Sequence, residues 1–152
     1  AGRVEFYAFG GSAPVAMDGQ HKFFRLKIPS SYISDPHIQF MSANSLGKDD
    51  VVVVISQSGT TSALIDSVKI VRKSGVKVIG IMPGNTPLAS ICDYPLVINI
   101  GENNRISKPH TSRIAYTAVI DVLTMGVAQL KPEAQDHLYN IADSQRSLRV
   151  KE

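Results

Sequence analysis

Asp50-Val51-Val52-Val53-Val54-Ile55-Ser56-Gln57-Ser58-Gly59-Thr60-Thr61 is the stretch from which the fold can be read. Five consecutive β-branched residues carry no polar alternation. A strand of that kind is covered on both faces, as in the middle of a parallel sheet. It ends in four hydroxyl residues around one glycine. Leu64, Val68 and Val71 then recur at helical spacing over residues 61–74, and Gly75 stops the helix. The unit is therefore strand, tight turn, helix.

The same unit repeats in both directions along the chain. Residues 4–9 form an apolar strand running into Gly10-Gly11. Over 12–27, Val15, Gly19, Phe23 and Leu26 share a helical face. A short strand is expected at 31–33. Asp35-Pro36 then reads as a cap followed by proline at the first helical position, with the helix reaching about Leu46. Further strands are expected at 77–81 and 94–100, separated by a short helix Pro87–Ile91, and a polar loop covers 101–108. Residues 112–130 are helical and apolar nearly all round, through Ile114, Ala115, Ala118, Val119, Val122, Leu123, Met125 and Val127. Such a helix is either sandwiched inside the domain or shared with a second subunit. Pro132 breaks it, and a polar amphipathic tail follows. Repeated β-α units imply an α/β fold with a parallel sheet and helices on both faces. Ligands of such sheets sit beyond the carboxyl ends of the strands, where strand order reverses. The loops to watch are 10–12, 34–37, 56–61, 82–86 and 101–108.

The 56–61 loop carries the strongest chemical signal. The first amides of a helix lack intrahelical partners, and with the helix dipole they attract anions. Ser56, Ser58 and Thr61 add neutral donors, so a phosphate can be held without a lysine. The dipole supplies roughly 0.3–2 kcal/mol, and charge-assisted hydrogen bonds about 1.5–3 kcal/mol each. The plain structural alternative is a hydroxyl-rich helix cap. Gly10-Gly11-Ser12 stands at the equivalent end of the first strand, where a glycine pair lets a ligand approach the backbone. It lacks the full dinucleotide pattern.

Composition narrows the partners. The 152 residues suit one compact domain, and the net charge is +3. Basic residues are scattered apart from Arg146, Arg149 and Lys151, which argues against direct nucleic-acid binding by this segment. Cys92 is the single cysteine, consistent with a reducing, cytoplasmic setting. The apolar runs are short, so no segment is expected to span a bilayer and no membrane partner is expected. The four histidines and Cys92 lack metal-ligand spacing, so neither a metal nor another cofactor is expected. His21 reads as a partly buried structural residue, His137 as solvated tail, and Met17, Met41 and Met125 as core or interface filler.

Phe9-Gly10-Gly11-Ser12-Ala13, followed some forty residues later by the 52–61 stretch, resembles the sugar isomerase (SIS) domain. Gln20-His21-Lys22-Phe23-Phe24, Asp35-Pro36-His37-Ile38-Gln39 and Ser112-Arg113-Ile114-Ala115 resemble the effector domain of RpiR-type bacterial regulators, in the hex-regulon repressor branch. The resemblance implies a three-layer αβα sandwich whose five-stranded parallel sheet runs in the order 2-1-3-4-5, and a homodimer or higher homo-oligomer through helix 112–130. It implies that Ser56, Ser58 and Thr61, with the Gln57 backbone, hold the phosphate of a phosphosugar effector, with Ser12 and His37 near the sugar. Gly11 and Glu102 complete the expected ligand-binding set. The implied effector is 2-keto-3-deoxy-6-phosphogluconate. DNA contact belongs to an N-terminal helix-turn-helix domain that this chain lacks, so the chain is expected to be an effector domain cut from a longer regulator. Ala8, where the first strand often ends in glycine, and the loop 104–110 depart from the pattern.

Two other functions remain open on the residues. SIS domains also occur in aldose–ketose isomerases, which need a base beside a carbonyl; Glu102 and His110 are the candidates. The third is a dimerisation module with a vestigial pocket. The regulator-like stretches favour a sensor with no catalytic residue.

Overall fold

The computed structural model describes residues 2–101 and 108–146. Five strands, β1 (Val4–Ala8), β2 (Ser30–Ile33), β3 (Val51–Ile55), β4 (Lys77–Met82) and β5 (Tyr94–Val97), form one sheet in the order β2-β1-β3-β4-β5. All four pairings are parallel, with Val4 beside both Ser30 and Val51. This is the expected order. Helices α1 (Ala13–Arg25), α5 (Lys108–Leu130) and α6 (Pro132–Arg146) cover one face; α2 (Pro36–Ala43), α3 (Ser62–Lys73) and α4 (Pro87–Ile91) cover the other.

Strand alternation divides the core between the two faces. Phe6, Ala8, Val53 and Ile55 pack with Val15, Phe23 and Ile120. Tyr7, Val52 and Val54 pack with Ala43, Leu64 and Val68. β1 and the last four residues of β3 are buried on both sides, which is why neither alternates in polarity. The expected apolar faces of α1 and α3 are the buried ones. Asp35 caps α2, its Oδ1 accepting from the Ile38 amide at 3.0 Å, ahead of Pro36. Glu5 is buried on the α2 side, where its carboxylate accepts from the Tyr7 and Ser42 hydroxyls at 2.8 and 2.6 Å and faces Arg3 at 3.5 Å. The charge is buried with partners, as it must be.

Several expectations need correction. α2 ends at Ala43 and β5 at Val97, both earlier than periodicity suggests. α5 begins at Lys108, four residues before Ser112. His21 is exposed, because it lies off the face that meets the sheet. His137 is half-buried beside Phe24 and Ile28. Met17, Met41 and Met125 are all more than half exposed, so none is core filler. His110–Leu130 has a mean hydropathy of 1.2 and is long and apolar enough to cross a bilayer by length and composition, contrary to expectation. In the fold it packs through Tyr116, Ile120 and Ala128 onto the sheet layer, while only 17% of it is buried.

Gly19 sets the spacing of α1 and β1. A Cβ there would lie 2.6 Å from Cε1 of Phe6, a ring fully buried and held edge-on against Phe23 at 5.4 Å. Gly19→Ala is expected to destabilise the domain by about 1–3 kcal/mol, read as a lowered denaturation midpoint at unchanged m-value.

Candidate functional site

The chain leaves β1 for α1 on one face and leaves β3 for α3 on the other. The two strands are neighbours, so their carboxyl ends open a crevice at the reversal of strand order. A cleft of about 190 Å³ lies there, lined by Phe9, Gly11, Ser12, Ile55, Ser56, Gln57, Ser58, Thr61 and Leu64.

Its base is the turn from Ser56 to Thr61. The Ser56 hydroxyl accepts from the Gly59 amide at 2.9 Å, and the Ser58 hydroxyl from the Thr60 amide at 3.3 Å. A hydroxyl that accepts in this way keeps its own proton to donate. Thr61 is the N-cap of α3, yet its side chain makes no cap bond; its carbonyl accepts from the Leu64 and Ile65 amides. The amides of Ser62 and Ala63 have no acceptor inside the helix and face the same end. The structural alternative of a hydroxyl-rich cap therefore holds for the turn itself and not for Thr61. Burial leaves Ser56 5% and Ser12 4% exposed, and Ser12 likewise makes no cap bond to α1. The Gln57 side chain lies across the opposite loop, its Oε1 within 3.5 Å of where a Gly11 side chain would begin. Loops from β1 and β3 thus close on each other. Among the described residues the lining holds no charged side chain; it presents hydroxyls beside the amino end of α3, where helix-start amides and the helix dipole favour an anion.

Of the expected ligand-binding residues, Gly11, Ser12, Ser56, Gln57, Ser58 and Thr61 come together in this cleft. His37 does not line it; it is exposed on the first turn of α2. Glu102 lies outside the described residues, as does most of the loop 101–108. His110 is exposed on the first turn of α5, with its Nδ1 3.0 Å from a guanidinium nitrogen of Arg113. Among the described residues no three His, Cys, Asp or Glu side chains are placed to hold a metal ion. Burial pushes the Cys92 thiol up to about 11, with the Asp93 charge adding to the effect, so it stays a poor nucleophile at neutral pH.

Sequence reasoning missed the supports of the site. Tyr116 of α5 is buried, and its hydroxyl points to the Ser56 carbonyl at 3.5 Å, closing the site from below. Burial raises that hydroxyl to about 12, so it remains a donor at neutral pH. Thr86, the N-cap of α4, packs against Gly59, whose carbonyl accepts from the Leu88 amide at 3.1 Å. Nothing in the local sequence links residues thirty or sixty positions apart.

Fold and cleft define the class: a doubly wound α/β domain whose strand-order reversal opens a cleft lined with hydroxyls at the start of α3. The chain belongs to the SIS domain family, whose model matches residues 1–126. It is 37% identical over 145 residues to the HTH-type transcriptional regulator HexR of Pseudomonas aeruginosa, covering 95% of this chain and 51% of that protein. It is 40% identical over 128 residues to the bifunctional protein glk of Burkholderia thailandensis, covering 84% of this chain and 20% of that one. The Vibrio vulnificus NanR protein complexed with ManNAc-6P superposes with a TM-score of 0.88 at 22% identity, over 99% of this chain and 58% of NanR. The resemblance carried by the serine loop and the regulator-like stretches is thereby borne out. The chain spans about half the length of the HexR protein it matches.

Gly59 is the position that tolerates no side chain. Its φ is +65°, and a Cβ would fall 2.4 Å from Thr86 Oγ1. Left-handed backbone costs a non-glycine residue about 1–2 kcal/mol, before the overlap. Gly59→Ala is expected to lower stability by at least that amount and to displace the turn, read by thermal melting together with loss of ligand-induced stabilisation.

Proposed function

We propose that this chain senses a sugar phosphate as the effector domain of a bacterial transcription regulator, with 2-keto-3-deoxy-6-phosphogluconate as its effector. The observation that carries the reading is the cleft at the β1/β3 crevice: hydroxyls of Ser12, Ser56, Ser58 and Thr61 around the amino end of α3, with no charged group among the described residues of the lining. Such a site suits a phosphate monoester, which brings its own charge and takes several neutral donors. The HexR relative and the NanR complex with ManNAc-6P support the reading. Gly11 and the Gln57 backbone take part in phosphate binding on this proposal, and His37 and Glu102 face the sugar. DNA is contacted only by the further domain that a full-length regulator carries, and the setting is the cytoplasm. No catalytic residue is assigned. Among the described residues the cleft lining contains no carboxylate or imidazole that could act as a base.

A homodimer through α5 belongs to the same proposal. One face of α5 packs on α1 and the sheet. The opposite face shows Ile114, Ala118, Val122 and Met125 at spacings of four, four and three residues, with Ile114, Val122 and Met125 at 74%, 72% and 60% exposure. Beside it runs an apolar groove of about 520 Å³ between β5 and α5, lined by Leu96, Ile98, Val119, Val122 and Leu123 among others. Val122 belongs to both stripe and groove, which fits the self-complementary patch of a two-fold dimer. Tyr116, on the inner face of the same helix, touches Ser56. Ligand drawn onto the turn would therefore act on the dimer helix, and through it on the spacing of two DNA-reading domains.

Two measurements check this reading. In a thermal-shift screen of sugar phosphates against their unphosphorylated parents, only phosphorylated compounds are expected to stabilise, by about 2.7 kcal/mol at a hundredfold excess over Kd. Ser58→Ala, at an exposed position, is expected to weaken binding by about 1.5–3 kcal/mol, removing most of the ligand-induced shift, with little change in the ligand-free melt. Aldose–ketose interconversion at an enzymatic rate would overturn the sensor. In sedimentation, the wild type is expected to run as a dimer and Val122→Glu as a folded monomer; a monomeric wild type would remove α5 as the interface.

A further inference from the structure

Arg25 stands in the last turn of α1, where a cation complements the helix dipole. The dipole does not account for how the side chain lies. Its Nε is a buried N–H with no hydrogen-bond partner. Among the described residues Arg3, Lys22, Lys69, Lys77, Lys131 and Arg146 make ion pairs, and Arg25 makes none. A guanidinium laid against protein without an acceptor is costly, and loses little by turning to a carboxylate brought from outside. The side chain lines a cleft of about 260 Å³ where α1, α5 and α6 meet, walled by Leu26, Ala128 and Leu138, with Asp121 and Met125 contributed by α5.

Asp121 is the complementary group. It is 57% exposed, and its ion pair with Lys22 occupies one oxygen, Oδ1. Lys22 is shared with Asp18 at 2.6 Å. Two carboxylates thus stand against one ammonium, beside an Arg25 whose charge nothing opposes. Met125 lies in this cleft and also in the exposed stripe of α5, so the cleft opens onto the surface assigned above to a second copy. A two-fold axis passing between Val122 and Met125 lays each on the other in a facing, antiparallel helix. Such an axis keeps α1 of both copies on the same side of the helix pair. Asp121 precedes Val122 on the α1 side, and Arg25 reaches the cleft beside Met125 and Ala128. The rotation that exchanges Val122 with Met125 therefore brings each Asp121 opposite the Arg25 of the other copy.

We propose that Arg25 and Asp121 form reciprocal ion pairs across the homodimer, the guanidinium of each copy forking onto the partner's Asp121. The planar fork suits a carboxylate, which it binds through two parallel hydrogen bonds. An apolar stripe lets two helices slide; charge pairs at its flank fix one alignment. A regulator needs a fixed alignment if two DNA-reading domains are to match their half-sites. The inference rests on the α5 homodimer reading.

The test is sedimentation of this chain carrying Arg25→Asp or Asp121→Arg, each alone and the two mixed. Each reversal sets like charges together at both pairs of its own homodimer, while the mixture restores opposite charges at both. Each variant alone is expected to raise the dimer dissociation constant about 100-fold, and the equimolar mixture to form a heterodimer close to wild-type affinity. Where a reversal lowers the melting temperature of the domain, Arg25→Met and Asp121→Asn decide instead. Each is expected to weaken the dimer about 10-fold, and the double variant no more than either, because both act through one interaction. If the reversals dimerise like the wild type, or the mixture of folded variants stays monomeric, the inference falls. The α5 homodimer then still stands, provided that the wild type dimerises and Val122→Glu does not. If the wild type is a monomer, both readings fall together.

Discussion

The whole arrangement depends on β1 and β3 running side by side and parallel, both buried on two faces, with their crossover helices departing to opposite layers. Parallel pairing puts both carboxyl ends at the same edge, and opposite departures leave no backbone to fill the gap between them. The crevice is thus a consequence of chain path. Its furniture follows from what must cap it: amides at the start of α3, hydroxyls that satisfy the turn, and glycine where the backbone turns left-handed and Thr86 presses against it. Phe6, Tyr7 and the valines of β3 hold the two strands in register, so the loops above them start from fixed points.

Among the described residues the cleft is lined by hydroxyls, an amide side chain, glycine and apolar groups. Amides and hydroxyls act over a shorter range than a charge and demand direction, so selectivity comes from geometry. They are also oriented in advance by the fold: Ser56 is fixed by the Gly59 amide, and Ser58 by the Thr60 amide. That reduces the ordering cost of binding, a cost that limits affinity in flexible sites. The Tyr116 hydroxyl beneath Ser56 ties this turn to a helix that carries an uncovered apolar stripe on its far side. On the proposed reading a sensor needs one element that meets both the ligand loop and the surface that changes, and α5 makes both contacts.

Much of this was readable from residue order. The unbroken Val51–Ile55 run could only be an interior strand, and the recurrences through Val15, Gly19 and Phe23 and through Leu64, Val68 and Val71 chose the buried faces of α1 and α3. Asp35-Pro36 announced a capped helix because oxygen acceptor and fixed φ act within one turn. Glycine and clustered hydroxyls marked the loops at the reversal of strand order. Errors came where local pattern competes with distant contact. α5 looked apolar all round, yet its two faces have different fates, and no periodicity marks which of Tyr116 and Val122 turns inward. His21 shares a stretch with Phe23 but lies off the packed face, and the strand expected to reach Ile100 stops at Val97, where its pairing with β4 ends.

The sequence by itself determined the kinds of element, their order and the position of a phosphate-suited turn, because each of these is set by interactions within a few residues. Tertiary structure alone decided that Gly11 faces Gln57, that Thr86 closes on Gly59, and that Tyr116 comes up beneath Ser56. Those contacts join residues 27 to 60 positions apart. They exist only once the crossovers have laid five strands in the order β2-β1-β3-β4-β5, since burial and sheet register, not neighbours along the chain, fix which side chains meet.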